Sequence, residues 1–181
     1  QRDIEYSLLN GLLTGDELSK AARMLKLKDT AQYCVVSFHT ISSNSEDYYT
    51  KEELEEIGVI EGEIQRLLPD EHIYRNRNQI VCIHEIKPGE TQAGFREEME
   101  KLYDTIQKQI IHRKKTTDFQ IGIGSIVEGY RDLKKSFQDS KKIIDYMDMI
   151  RYLYSDKNIS VGDFSKLGFS RFLKRLKPVM N

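Results

Sequence analysis

The residues best placed to do chemistry lie in the stretch HIYRNRNQIVCIHEI, residues 72–86, where two short strand-like runs flank a polar tip. The tip offers Asn76, Arg77, Asn78 and Gln79, which supply amides and a guanidinium but no carboxylate. A nucleotidyl-transfer site on such a hairpin needs carboxylates there and at the end of the preceding strand. Two divalent cations must be held against a triphosphate and an attacking hydroxyl. The preceding strand, QYCVVSFHT over 32–40, brings only Ser37, Phe38 and His39 to that position. Amide oxygens are weak magnesium ligands without carboxylate help. The residues therefore predict no catalytic site, no metal site and no cofactor. Ser37, Asn76, Arg77 and Asn78 are expected at most to touch a ligand.

Other constellations read more simply as structure. Cys34 and Cys82 could approach across adjacent strands near His39 or His84, but four ligands at a recognisable metal spacing are absent, so buried inert thiols are expected. Gly122 and Gly124 could cradle a phosphate, yet no Gly-Lys-Ser/Thr follows them, and small residues on a covered strand face usually admit a close helix. The basic run at His112–Lys115 sits where a helix C-terminus favours cations. Lys134, Lys135, Lys141 and Lys142 alternate with Asp132, Asp139 and Asp145, the pattern of a solvated helix face. Ile4, Leu8 and Leu12 form an apolar stripe that suits either core or a dimerising helix.

The elements that must position these residues follow from periodicity. A helix over 2–13 is followed, after TGDEL, by a second one starting at Asp16 as N-cap and running to about Leu27. Residues 32–40 are β-branched and aromatic without helical period and read as a buried strand. Thr50 and Glu53 form a T-x-x-E capping box, and the helix behind it turns Leu54, Ile57, Ile64 and Leu68 inward before Pro69 ends it. After the hairpin, Phe95, Met99, Leu102, Ile106 and Ile110 mark a long amphipathic helix. Phe119, Ile121 and Ile123 then alternate with Gln120, Gly122 and Gly124 along a strand whose second face is nearly bare, open to a helix or a ligand. A helix from about Gly129 to Met147 buries Leu133, Phe137, Ser140, Ile144 and Met147. RYLYS (151–155) reads as a last strand, and Phe164, Leu167, Phe172, Leu173 and Leu176 as a largely helical closing segment. This order predicts an α+β fold: a ferredoxin-like β-α-β-β-α-β core plus an extra helix and strand, with helices packed on the sheet and the first and third strands adjacent.

The chain has 181 residues, 39% of them hydrophobic and 31% charged, and a net charge of −1. That suits one domain with a real core and gives no overall electrostatic footprint for a phosphate backbone. No apolar run approaches the roughly 20 residues of a membrane span, so no membrane partner is expected. Cysteines without a paired motif fit reduced thiols and a cytoplasmic location. The opening at Gln1 and the stop soon after a helical pattern are expected of a fragment with neighbours on both sides. Residues 1–30 are expected to be leading helices, a linker or dimerising element, and 31–181 the main domain with its closing segment.

FQIGIGSIVEGYRDLKKSFQDSKKIIDYMDM resembles the last strand and helix of the GGDEF-like domain of bacterial helix-turn-helix regulators of the purine-catabolism and sugar-diacid type. LLNGLLTGDELSKAARMLKLKDTAQYCVVSF and VGDFSKLGFSRFLKRL are similar to that family's entry and exit segments. The resemblance implies a nucleotide-cyclase-like sheet. It places the five signature positions of true cyclases at Asn76, Arg77, Asn78, Gln79 and Ile80, and the first-strand metal aspartate near Ser37. None of the four signature glycine or acidic positions is kept. The product-inhibition motif of cyclases would use Leu67 and Asp70, with Arg66 one position out of register, and is not carried over. The family implies a non-catalytic middle domain of a transcription regulator, a homodimer, DNA contacted only through a domain outside these residues, and a small-molecule effector whose identity is unknown. A degenerate nucleotide or cyclic-dinucleotide receptor, and the middle domain of an arabinose-regulator-type factor, are the alternatives.

Overall fold

The structure, a computed structural model, describes residues 2–41, 50–76, 79–112, 118–154 and 160–163. Among them lie helices α1 (Arg2–Leu9), α2 (Gly15–Met24), α3 (Lys51–Leu67), α4 (Gln92–His112) and α5 (Leu133–Tyr154). The strands are β1 (Gln32–Ile41), β2 (His72–Asn76), β3 (Gln79–Glu85), β4 (Asp118–Ile123), β5 (Val127–Glu128) and β6 (Val161–Asp163). They form one sheet in the order β2-β3-β1-β4-β6, with β5 paired to the start of β1. β1 runs antiparallel to both β3 and β4, and β6 is parallel to β4. The α+β reading with helices packed on a cyclase-like sheet holds, including the adjacency of first and third strands.

Both faces of the sheet are covered, which is why β1 is buried continuously from Tyr33 to Phe38 rather than at alternate positions. Cys34, Val36 and Phe38 point to one face and join Ile57, Ile60 and Ile64 of α3 and the inward stripe of α4. Tyr33 and Val35 point to the other, where Leu8, Leu9, Ala22 and Leu25 of the leading helices meet Leu133 and Phe137 of α5. The leading helices thus share a core with the sheet. The T-x-x-E box forms: Thr50 Oγ1 accepts from the Glu53 amide at 3.1 Å, and the Thr50 amide donates back to Glu53 at 3.3 Å. All five apolar residues predicted inward on α4 are buried.

Four expectations need correction. α1 stops at Leu9, because Gly11 takes up φ +68 and turns the chain out of the helix, leaving Leu12 beyond it and 62% exposed. The N-cap of α2 is Thr14, and Asp16 falls in the first turn, where its charge favours the helix dipole. Leu54 of α3 is exposed and Ile60 takes the inward place. Residues 151–154 of RYLYS continue α5: Met147 and Ile150 keep the buried stripe three residues apart, and Arg151 Nη2 donates to Asp118 Oδ2 on β4 at 3.1 Å. The last strand is Val161–Asp163 instead. The predicted closing segment from Phe164, and Arg113–Lys115 of the basic run, lie outside the described residues.

Candidate functional site

β4 presents Gln120, Gly122 and Gly124 to α5, and the two glycines decide how near the helix comes. A Cβ on Gly122 would run into the Ser140 carbonyl, and one on Gly124 into that of Ser136, so the bare strand face is bare for the helix. Ser136 and Ser140, one turn apart, then stitch α5 to β1. The Val35 amide donates to Ser136 Oγ at 2.7 Å, and Ser136 donates to the Ser125 carbonyl at 2.6 Å. Ser140 spends its proton on the Phe137 carbonyl, so Ser37 donates to Ser140 Oγ, at 2.7 Å. Asp139, expected on a solvated face, is buried and accepts from Ser125 Oγ at 2.6 Å.

Beyond Gly122 the small residues end. The next row across the sheet is Gln79, His39 and Gln120, directly opposite one another on β3, β1 and β4. Longer side chains take the place of the glycines there. The groove that results, about 340 Å³, is lined by His39, Gln79, Lys141, Ile144, Asp145 and Asp148. Burial lowers the basicity of the His39 imidazole, opposed by the charges of Asp148 and Asp145. Asp148 keeps an exposed edge, yet partial desolvation raises its carboxyl pKa; His39, Gln120 and Arg151 act the other way and Asp145 adds to the rise. The Lys141 ammonium lies 4.3 Å from the centre of the Phe137 ring.

The ligand-contact residues expected from the sequence do not share one surface. Ser37 is fully buried beneath α5, while Asn76 is exposed at the end of β2, paired with Gln79. Arg77 and Asn78 lie outside the described residues. Of the apolar stripe, Leu8 is core, Ile4 is partly buried against the same cluster, and Leu12 is exposed.

The sequence model of the GGDEF-like domain matches residues 10–146, well over half of the chain. This chain belongs to the GGDEF-like domain family. No curated protein matched it. Within this GGDEF-like domain the groove occupies the hairpin end of the sheet, two residues along β1 from Ser37. Its carboxylates come from α5 rather than from the first strand or the hairpin.

A second polar cluster went unread in the sequence. His84 of β3 is 2% exposed, stacks on Phe95 at 4.2 Å between ring centres, and has a carboxylate at each nitrogen. Glu71 contacts Nδ1, and both oxygens of Glu90 lie 2.9 and 3.0 Å from Nε2. Burial disfavours the imidazolium, but the two carboxylates outweigh it and raise the pKa. Cys34 stands opposite His84, and Cys82 reaches toward Glu71 at 3.7 Å. Both thiols are free, and burial, reinforced by nearby carboxylates, pushes their ionisation far up, so neither is an activated nucleophile. Among the described residues no group of three His, Cys, Asp or Glu has the geometry to hold a metal ion, and no helix is long and apolar enough to cross a membrane. Glu71 comes from the loop before β2 and Glu90 from the loop after β3, at separations that match no known motif, so only the fold could reveal the clamp.

Proposed function

We infer that this GGDEF-like domain is a non-catalytic regulatory domain of a bacterial transcription regulator, relaying a signal to a helix-turn-helix domain outside these residues. The observation that carries the reading is the fate of Ser37. At the position where the resemblance expects a metal-holding aspartate, this chain has a hydroxyl committed to Ser140 and roofed by α5. A hydroxyl there supplies no charge for a divalent cation, and the roof leaves no room for a triphosphate. The test is to incubate the chain with GTP and magnesium or manganese and to analyse the nucleotides formed. No cyclic dinucleotide is expected, and its accumulation above a no-protein control refutes the reading.

The relay would run through the leading helices in a homodimer. Tyr6, Leu12 and Met24 are exposed apolar residues of this region, and Ile4, Ser7, Leu13, Glu17, Lys20 and Met24 line a shallow groove between α1 and α2. Glu17 and Lys20, one turn apart on α2, suit an antiparallel contact in which each pairs with the other on a second copy. Sedimentation at micromolar concentration should show a dimer that Leu12→Asp weakens; a monomer at all concentrations removes the dimer from the reading.

A further inference from the structure

Two loops are tied to the sheet through the His84 ring. Glu71 reaches Nδ1 from the loop before β2, and both oxygens of Glu90 lie 2.9 and 3.0 Å from Nε2, brought there by the loop after β3. Only the imidazolium has a proton for each carboxylate. A neutral ring has a single N–H and presents a lone pair at its other nitrogen. The other groups around the ring leave this count unchanged. Cys34 on β1 and Cys82 on β3 are thiols kept neutral by burial, and Phe95 of α4 stacks on the ring. Arg96, the next residue of α4, is paired with Glu100 and Asp163.

The two carboxylates depend on the ring unequally. Among the described residues Glu71 has as its other partner only the Cys82 thiol, a weak donor at 3.7 Å. Glu90 Oε1 also accepts the Lys87 amide at 2.8 Å, inside the turn at 87–90 where Gly89 takes up φ +81. A ring that has lost one proton therefore keeps the other for Glu71, and its Nε2 turns a lone pair on Glu90.

Glu90 is the middle anchor of its loop. The near end is fixed by the Ile86 amide, which donates to the Gln32 carbonyl at 2.8 Å, and the far end by Thr91, whose Oγ1 accepts the Gly94 amide at 3.0 Å. Between them Lys87, Pro88 and Gly89 are exposed, so the turn can swing outward without uncovering apolar core. Inside it lies a small cavity lined by Glu90, Thr91, Ile86, Phe95, Asp163 and Cys34. Its volume, about 20 Å³, suffices for a single water.

We propose that His84 latches the β3–α4 loop: the doubly protonated ring holds Glu90 inward, and the neutral ring releases it, so that the turn at 87–90 swings out and opens the cavity to Cys34. The loop is shut below the ordinary histidine value of about 6.5 and opens as pH climbs from there, because the two carboxylates outweigh burial and favour the imidazolium. The latch goes beyond the relay reading and does not rest on it. Its test uses neither nucleotide nor dimer, so its failure leaves that reading standing.

The test follows the 15N-labelled chain by NMR through the titration of the His84 ring. The amide signals of Lys87 and Glu90 should move with the ring's own midpoint, and their protection from hydrogen exchange should fall above it while the amides of β1 keep theirs. In Glu90→Gln the new amide can donate to Nε2 of the neutral ring, so the loop should stay shut as pH rises. At a pH above the ring's midpoint, iodoacetamide should alkylate Cys34 roughly tenfold faster in the parent than in Glu90→Gln, the factor for one charge-assisted hydrogen bond, and spare Cys82 in both. Mass spectrometry of the two cysteine peptides reads the rates. Matching β1 amide spectra establish that the variant is folded, and the titration of the parent stands without it. Loop signals that stay put through the ring's midpoint, the same movement in Glu90→Gln, equal alkylation of Cys34 in the two chains, or Cys82 alkylated as fast as Cys34 would each overturn the proposal.

Discussion

His39 and His84 sit on one sheet, at opposite ends of β1 and on opposite faces, and they have opposite fates. His84 faces α4, stacked on Phe95 with a carboxylate at each ring nitrogen, and its charged form is favoured despite burial. His39 faces α5 and lines the groove with Asp145 and Asp148, and burial disfavours its charged form. The same residue type therefore serves as a clamp in one place and as a wall of a cavity in the other. What differs is the covering element. α4 meets its face with a continuous stripe of five large apolar residues, whereas α5 is held through Ser136 and Ser140 over the two glycines and borders a polar groove beyond them. The closed region is optimised for stability, and the open one keeps polar groups in reserve.

The largest effect is expected at the clamp. His84→Ala removes the cation shared by Glu71 and Glu90 and leaves two mostly buried carboxylates facing each other. Breaking a buried pair by deleting one partner costs about 3–5 kcal/mol. Urea denaturation should show a loss of that order, and a change under about 1 kcal/mol would mean that the clamp is relaxed by water. Next comes the stitched part of α5. Gly124→Ala places a methyl against the Ser136 carbonyl, which is backbone and cannot rotate away, so a loss of about 1–3 kcal/mol is expected. Equal stability would show that α5 yields at Ser136, and that the close approach over Gly124 does not hold the helix.

The two regions also differ in how far they were legible. The stripe of α4 was readable because one helix buries one face and the spacing states it outright. The Gly-x-Gly strand pointed to a close helix for a physical reason that needs no structure. Leu54 against Ile60 was not decidable, since both lie near the edge of the apolar arc of α3 and only the angle of packing chooses. Residues 151–154 mislead because tyrosine and leucine in alternation favour a strand locally, while extending a helix already nucleated at Leu133 costs little. Asp145 reads as part of a charged surface, and nothing in its neighbourhood predicts His39, more than a hundred residues earlier. A groove lined by residues of three elements depends on how those elements pack, which the sequence order of His39, Gln79 and Asp148 does not state.

Gln120 itself yields the prediction that most sharply separates a reserve from a defect. Gln120→Met keeps the length of the side chain and removes both unpaired polar atoms. Because an unsatisfied buried amide costs about 1–3 kcal/mol, the variant should be at least as stable as the parent and up to about 1 kcal/mol more so. A clear destabilisation would show that the amide is bonded in solution, and the contrast with the fully paired His84 would then fall.

The smallest effects are those of pH, and the two histidines should give them opposite signs. The pKa of His84 is raised in the fold, so its contribution is complete below the ordinary histidine value of about 6.5 and is lost as pH climbs from there through the raised value. The pKa of His39 is lowered, so the unfolded chain binds the extra proton first and stability falls as pH drops below about 6.5. His39→Gln should therefore flatten the acid side of the stability curve, and His84→Gln the side above about 6.5. Proton NMR of the imidazole rings checks the order directly: His84 should titrate above free histidine and His39 below it. If both titrate together near the ordinary value, neither the clamp nor the groove wall exerts the field assigned to it, and the two ends of the sheet are electrostatically alike.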